Sequence, residues 1–124
     1  MPQLAQGLVT FEEFCFLVKD GQKADLIDGV IYIASPESID GHRLFKWLYY
    51  LVDEFVEERH LGEVFGSRVA FRLEVRQSPE PDVAFVDKSR IDRAKKGFFD
   101  GEPDVAVEIV SPDSIDRDYE KKRN

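Results

Sequence analysis

Apolar residues recur along this chain with two periods, and each change of period marks an element. Thr10-Phe11-Glu12-Glu13 has the form of a capping box, and Phe11, Phe14, Leu17 and Val18 follow at helical spacing. This predicts a short helix ending near Lys19-Asp20-Gly21. Asp25-Leu26-Ile27-Asp28-Gly29-Val30-Ile31-Tyr32-Ile33 sets Asp-Gly between two apolar runs, the strongest short-range hairpin signal. The turn gives Asp28 a sufficient structural role. From about Ser38 to His60, Leu44, Leu48, Leu51, Val52, Phe55 and Val56 fall on one stripe of a long amphipathic helix. Gly62 is expected to stop it as a glycine just past the helix end. His42, near the helix start, reads as an exposed or cap-associated histidine.

The period then shortens to two. Val64-Phe65 and Val69 to Val75 read as strands, with Gly66 as a bulge between them and Val69, Phe71, Leu73 and Val75 on the apolar face. Gln77-Ser78-Pro79-Glu80-Pro81 is a loop into a strand that begins at Asp82. A polar helix over Ser89 to Lys96 brings together Lys88, Arg90, Arg93, Lys95 and Lys96, as a solvated face or as a phosphate-contacting patch. Phe98-Phe99 lies in a loop and needs cover. Asp113 or Ser114 can cap a last helix, on which Asp118 and Lys122 share a side.

Two strands carry the candidate chemistry. Pro103-Asp104-Val105-Ala106-Val107-Glu108-Ile109-Val110-Ser111-Pro112 is almost continuously apolar, as in a strand buried on both faces. A carboxylate within such a strand needs a cation, a metal or a raised pKa. Pro81-Asp82-Val83-Ala84-Phe85-Val86 has the same build, with its acid at the mouth of the run. Two such acids with a lysine nearby form the layout of a divalent-metal phosphodiesterase, in which hard oxygen ligands hold Mg²⁺ or Mn²⁺. The alternative is a helix cap or an ion pair to arginine for each acid.

Composition narrows the partners. A chain of 124 residues, 43% hydrophobic with ten Phe and one Trp, supports one packed domain over residues 1–124 rather than disorder. The net charge of −8 repels nucleic acid as a whole, so DNA contact would come from local basic patches and bound metal. The single Cys15 excludes an internal disulfide and reads as a buried thiol. With neither a signal peptide nor an apolar run near 18 residues, a cytoplasmic protein with no membrane partner is expected.

Five pieces in order resemble the Uma-two family of restriction endonucleases, within the PD-(D/E)XK nuclease superfamily. They are Asp25-Leu26-Ile27-Asp28-Gly29, Ser35-Pro36 with His42, the strand from Pro81 to Val86, the strand from Pro103 to Pro112, and Asp118 with Lys122. The resemblance implies an α/β (α+β) fold, a restriction-endonuclease-like mixed central sheet flanked by helices. It implies a metal-dependent DNA endonuclease in which Asp82 and Glu108 are the metal-binding acids, with a backbone carbonyl from Ile109 beside them. The superfamily lysine two residues after the glutamate is replaced here by Val110. The resemblance implies a lysine from the following helix instead, Lys122 or the adjacent Lys121. His42 matches a family histidine, and Asp25 stands where family members carry Glu. Family members continue beyond the last helix with a strand–helix portion, whereas this sequence ends at Asn124. Uncovered sheet edge or Phe98-Phe99 surface is therefore expected, and with it a homodimer or higher oligomer. The rival reading is a non-catalytic binding or assembly module that keeps the fold. If one ion joins the two acids, their carboxylates should approach within about 4–6 Å.

Overall fold

The computed structural model of the chain describes residues 8–18, 22–66 and 69–110. Helix α1 spans Phe11–Leu17, and strands β1 (Ala24–Ile27) and β2 (Val30–Ile33) form an antiparallel hairpin. The long helix α2, Ile39–Arg59, leads to β3 (Gly62–Phe65) and a two-residue β4 (Phe71–Arg72). Strand β5, Val83–Asp87, runs into a 3₁₀ turn over Lys88–Arg93, then β6 (Phe99–Asp100) and β7 (Val105–Val107). The strands group as β1-β2, β3-β5-β7 and β4-β6; only the last pair is parallel. The fold is therefore mixed α+β, with its sheet in three pieces among the described residues.

Local signals place most of these elements where the sequence predicts them. The Thr10 capping box is complete: its side chain accepts from the Glu13 amide, and the Glu13 side chain accepts from the Thr10 amide. Asp28 and Gly29 both have positive φ, 51° and 79°, as a tight two-residue hairpin turn with the right twist requires. Ser38 caps α2 by accepting from the Gly41 amide. Asp87 does the same for the 3₁₀ turn through Ser89, and those hydrogen bonds hold its carboxyl below the usual range.

Strand β5 is the middle of the molecule. Val83 and Phe85 face Phe45, Leu48, Tyr49, Val52 and Val56 of α2, together with Val64 and Val107. Ala84 and Val86 pack on the other side against Phe71 and Phe99. A third cluster, Val9, Phe11, Phe14, Ala24, Leu26 and Ala70, joins α1 to the hairpin.

Tertiary packing overrides the sequence reading at several points. The buried stripe of α2 is rotated: Leu44, Leu51 and Phe55 remain 47%, 48% and 51% exposed, because the described strands cover only part of a wide apolar arc. His60, in the left-handed conformation, ends α2; Gly62 instead opens β3 opposite Asp87. A Cβ at Gly62 would fall 2.0 Å from the Val86 carbonyl oxygen, so close strand approach explains the glycine. The stretch Val69 to Val75 shortens to β4, with Leu73 and Val75 exposed beside a tight turn closed between Glu74 and Gln77. Phe98 and Phe99 are covered, not exposed: Phe98 packs on Phe11 with ring centroids 4.8 Å apart, and Phe99 is fully buried. Cys15 lies on the outward face of α1 and is exposed; desolvation, then Glu12 and Glu80, push its thiol pKa up.

The largest difference is at β7. It is three residues long and pairs only with β5 among the described residues, leaving Val105 54% exposed. Among the described residues its apolar run is therefore covered less than a strand buried on both faces would be. No helix among the described residues is long and apolar enough to cross a membrane. The Gly62 contact predicts that Gly62→Ala lowers stability by about 1–3 kcal/mol, since the obstructing atom belongs to backbone. Urea unfolding measures that loss; an unchanged midpoint would contradict the close approach.

Candidate active site

The register of β5 on β7 pairs Val83 with Val107. One step further along, Asp82 stands opposite Glu108. The Asp82 amide donates to the Val107 carbonyl at 3.1 Å, and the Ile109 amide donates to Asp82 Oδ2 at 2.7 Å. Asp82 is thus held from both sides of its strand end. Two facing carboxylates repel, and a cation lies against both: Lys23 Nζ is 3.0 Å from Asp82 Oδ1 and 3.7 Å from Glu108 Oε1. One ammonium thus contacts both carboxylates. The side chains of Asp82, Lys23 and Glu108 are 15%, 21% and 26% exposed, so solvent screens them only partly.

Lys23 precedes β1, and a second set of acids fixes it there. Leu26 and Ser78 exchange both backbone hydrogen bonds, at 3.0 and 2.7 Å, starting an antiparallel ladder between β1 and the segment that leads to Asp82. Where a regular ladder would continue, the next pair in register is Ala24 and Glu80, and the amides of both turn to carboxylates. The Glu80 amide donates to Asp25 Oδ1 at 2.7 Å, and the Ala24 amide donates to Glu80 Oε1 at 3.0 Å. Both acids are buried, Asp25 at 8% and Glu80 at 7% exposure. This reciprocal clip draws the start of β1, and so Lys23, to the entrance of β5.

Burial would by itself lower the Lys23 pKa. Glu108, Asp82 with its hydrogen bond, and Asp25 outweigh it, so the pKa is raised above the ordinary 10.5. Lys23 is a charged ammonium at neutral pH.

The sequence-derived site residues divide accordingly. Asp82, Glu108 and the Ile109 backbone come together. Asp25 lies next to them as half of the clip. His42 sits on the first turn of α2, with Nδ1 3.1 Å from Glu37 Oε1. Lys121 and Lys122 lie outside the described residues, as does the predicted last helix. Of the basic run, Arg90 is engaged by Asp104 at 2.9 Å and by the Glu102 carbonyl. With Arg72 and Arg93 it lines an open recess beyond the far end of β5. Sequence reasoning missed Lys23 and Glu80. Neither carries a local signal, because the partners of each lie on a distant segment of the chain.

The architecture is that of a nuclease fold. It matches the crystal structure of a "putative nuclease belonging to DUF820" from Anabaena variabilis ATCC 29413 with a TM-score of 0.69 at 22% identity. The match covers 85% of this chain and 60% of that one, so the chain spans about 60% of that protein's length. The family model described as "Uma2: Putative restriction endonuclease" matches residues 8–124, and the chain belongs to that family. No curated protein matches the chain.

Two outcomes are expected of this site. Asp25→Ala leaves the buried Glu80 amide without its acceptor and should cost about 1–3 kcal/mol, whereas Asp25→Asn retains an acceptor oxygen and should cost less. Equal losses in urea melts would dismiss the clip. Because the folded pKa of Lys23 is raised, its contribution to stability is complete below its ordinary 10.5 and disappears as pH rises through the higher folded value. The melting-temperature gap between the protein and Lys23→Met should therefore hold from neutral pH to the ordinary lysine range and close above it.

Proposed function

We propose that this chain is a metal-dependent endonuclease that hydrolyses phosphodiester bonds in DNA, with Asp82 and Glu108 as the ligands of one Mg²⁺ or Mn²⁺. The observation that carries this reading is the pair of facing carboxylates bridged by a single cation, Lys23. A site that already binds one positive charge through two hard oxygen atoms suits a divalent ion. Among the described residues no group of three His, Cys, Asp or Glu is arranged to hold a metal. Two carboxylates meet the demand of Mg²⁺, which keeps several waters and is completed by substrate phosphate. The Ile109 amide bond to Asp82 brings that residue's backbone to the site, and its carbonyl is the proposed third protein ligand.

A bound divalent ion supplies an activated water and stabilises charge developing on phosphate. The chain supplies the geometry. Asp82 cannot rotate freely, because one oxygen is engaged by Lys23 and the other by the Ile109 amide. Glu108 follows β7 with its side chain 26% exposed, open enough for a phosphate to approach. Lys121 or Lys122 remains the family-derived proposal for a further lysine.

A second reading has its own support. Net charge −8 and an internal cation already between the acids also suit a non-catalytic module that keeps the fold.

Glu108→Gln separates the two. It removes a metal-binding charge but leaves Lys23 paired with Asp82, so apo stability should change by at most about 1 kcal/mol. Cleavage of a DNA panel with Mg²⁺ or Mn²⁺ should fall at least about a hundredfold. No heat on Mg²⁺ titration and no cleavage by the unmutated chain would establish the module reading instead.

A further inference from the structure

The sequence offers no lysine two residues after Glu108, since Val110 stands there, yet an ammonium reaches both acids from a different part of the chain. It arrives from the lead-in to β1, through the clip across Pro79 and Pro81. Its location is specific. A divalent ion held between Asp82 Oδ1 and Glu108 Oε1 would take the place of Lys23 Nζ, now 3.0 and 3.7 Å from those oxygens. Two cations cannot share that place.

We infer that Lys23 is a resident counter-cation of this site: a divalent metal enters by displacing the ammonium from between Asp82 and Glu108, and Lys23 stays beside it. This rests on the metal-site reading above. Three features support it. The backbone of Lys23 is fixed, its carbonyl accepting from the Ala34 amide at 3.0 Å and the neighbouring Ala24 amide bonded to Glu80. The side chain is a flexible four-carbon stem with a compact charge, so the ammonium can move while its anchor does not. Before metal arrives, the two acids face each other across adjacent strands and need a positive charge between them.

The arrangement has a consequence for selectivity. A monovalent ion offers no more charge than Lys23 already provides and has to compete with a tethered group. A divalent ion offers twice that charge to the same two carboxylates. Lys23 thereby sets a threshold that favours divalent ions, and once displaced it keeps a positive charge at the site. A chain of net charge −8 needs such local positive charge wherever it meets a phosphate.

The test is metal binding by the full chain, read by calorimetry with Mn²⁺ and Mg²⁺, independently of cleavage. Lys23→Met keeps most of the stem and removes the competing charge; it should bind Mn²⁺ at least about tenfold more tightly than the unmutated chain. Lys23→Gln guards against a packing fault in the first variant and should shift affinity in the same direction. Lys23→Arg retains the charge and should show no such gain. In the unmutated chain, acylation of Lys23 by an amine-reactive ester, followed by mass spectrometry, should accelerate when Mg²⁺ is added. Unchanged or weaker Mn²⁺ binding by both neutral variants, with the unmutated chain binding normally, would overturn the counter-cation role and leave the metal site standing. No Mn²⁺ binding by any form would overturn the metal site and this inference together.

Discussion

Two buried carboxylates, Asp25 and Glu80, govern how the hairpin joins the segment that leads into the central strand. Past the Leu26–Ser78 pair the next residues in register are Ala24 and Glu80, and the amides of both bond to side chains where a regular ladder would use carbonyls. Asp25 and Glu80 restore the connection with carboxylates, each accepting an amide from the other's strand at 2.7 and 3.0 Å. Burying acids is costly unless hydrogen bonds satisfy them, and here the bonds are charge-assisted and reciprocal. The position of the hairpin, and with it Lys23, follows from this clip.

The site stands on that geometry. Asp82 lies just before β5, a strand packed on both faces, and is anchored by the Ile109 amide and Lys23. Glu108 lies just past β7, and its side chain keeps 26% exposure. Asp82 is the less exposed of the two, 15% against 26%. Lys23 joins them across a distance in sequence that neither strand could bridge alone. A positive charge at the acids is met by its position in space, so its place in the chain is free to vary.

The apolar surface follows a related logic. Helix α2 carries a wider apolar arc than β3, β5 and β7 cover, so Leu44, Trp47, Leu51 and Phe55 stay exposed. On the opposite face of β5, Phe71 and Phe99 are fully buried although they come from two-residue strands. Their burial depends on ring packing, with centroids 5.3 Å apart, more than on strand length.

What the sequence determined by itself is whatever depends on neighbours a few residues apart. The Thr10 capping box, the Asp28-Gly29 turn and the Ser38 cap are closed within three or four residues, and their residues announce them. The central strand from Val83 was legible because burial on both faces demands an unbroken apolar run. The family was legible too, since each of its motifs is a short local string. Tertiary structure alone decided the rest. Gly62 is explained by a carbonyl on a strand 24 residues away, and the arc of α2 that is buried depends on how many strands lie beneath it. Cys15 faces outward because Phe11 and Phe14 turn the opposite side of α1 to the core. The clip joins residues 55 and 56 positions apart. Lys23 carries no local mark at all: a lysine before a strand is ordinary until the chain folds two carboxylates onto it.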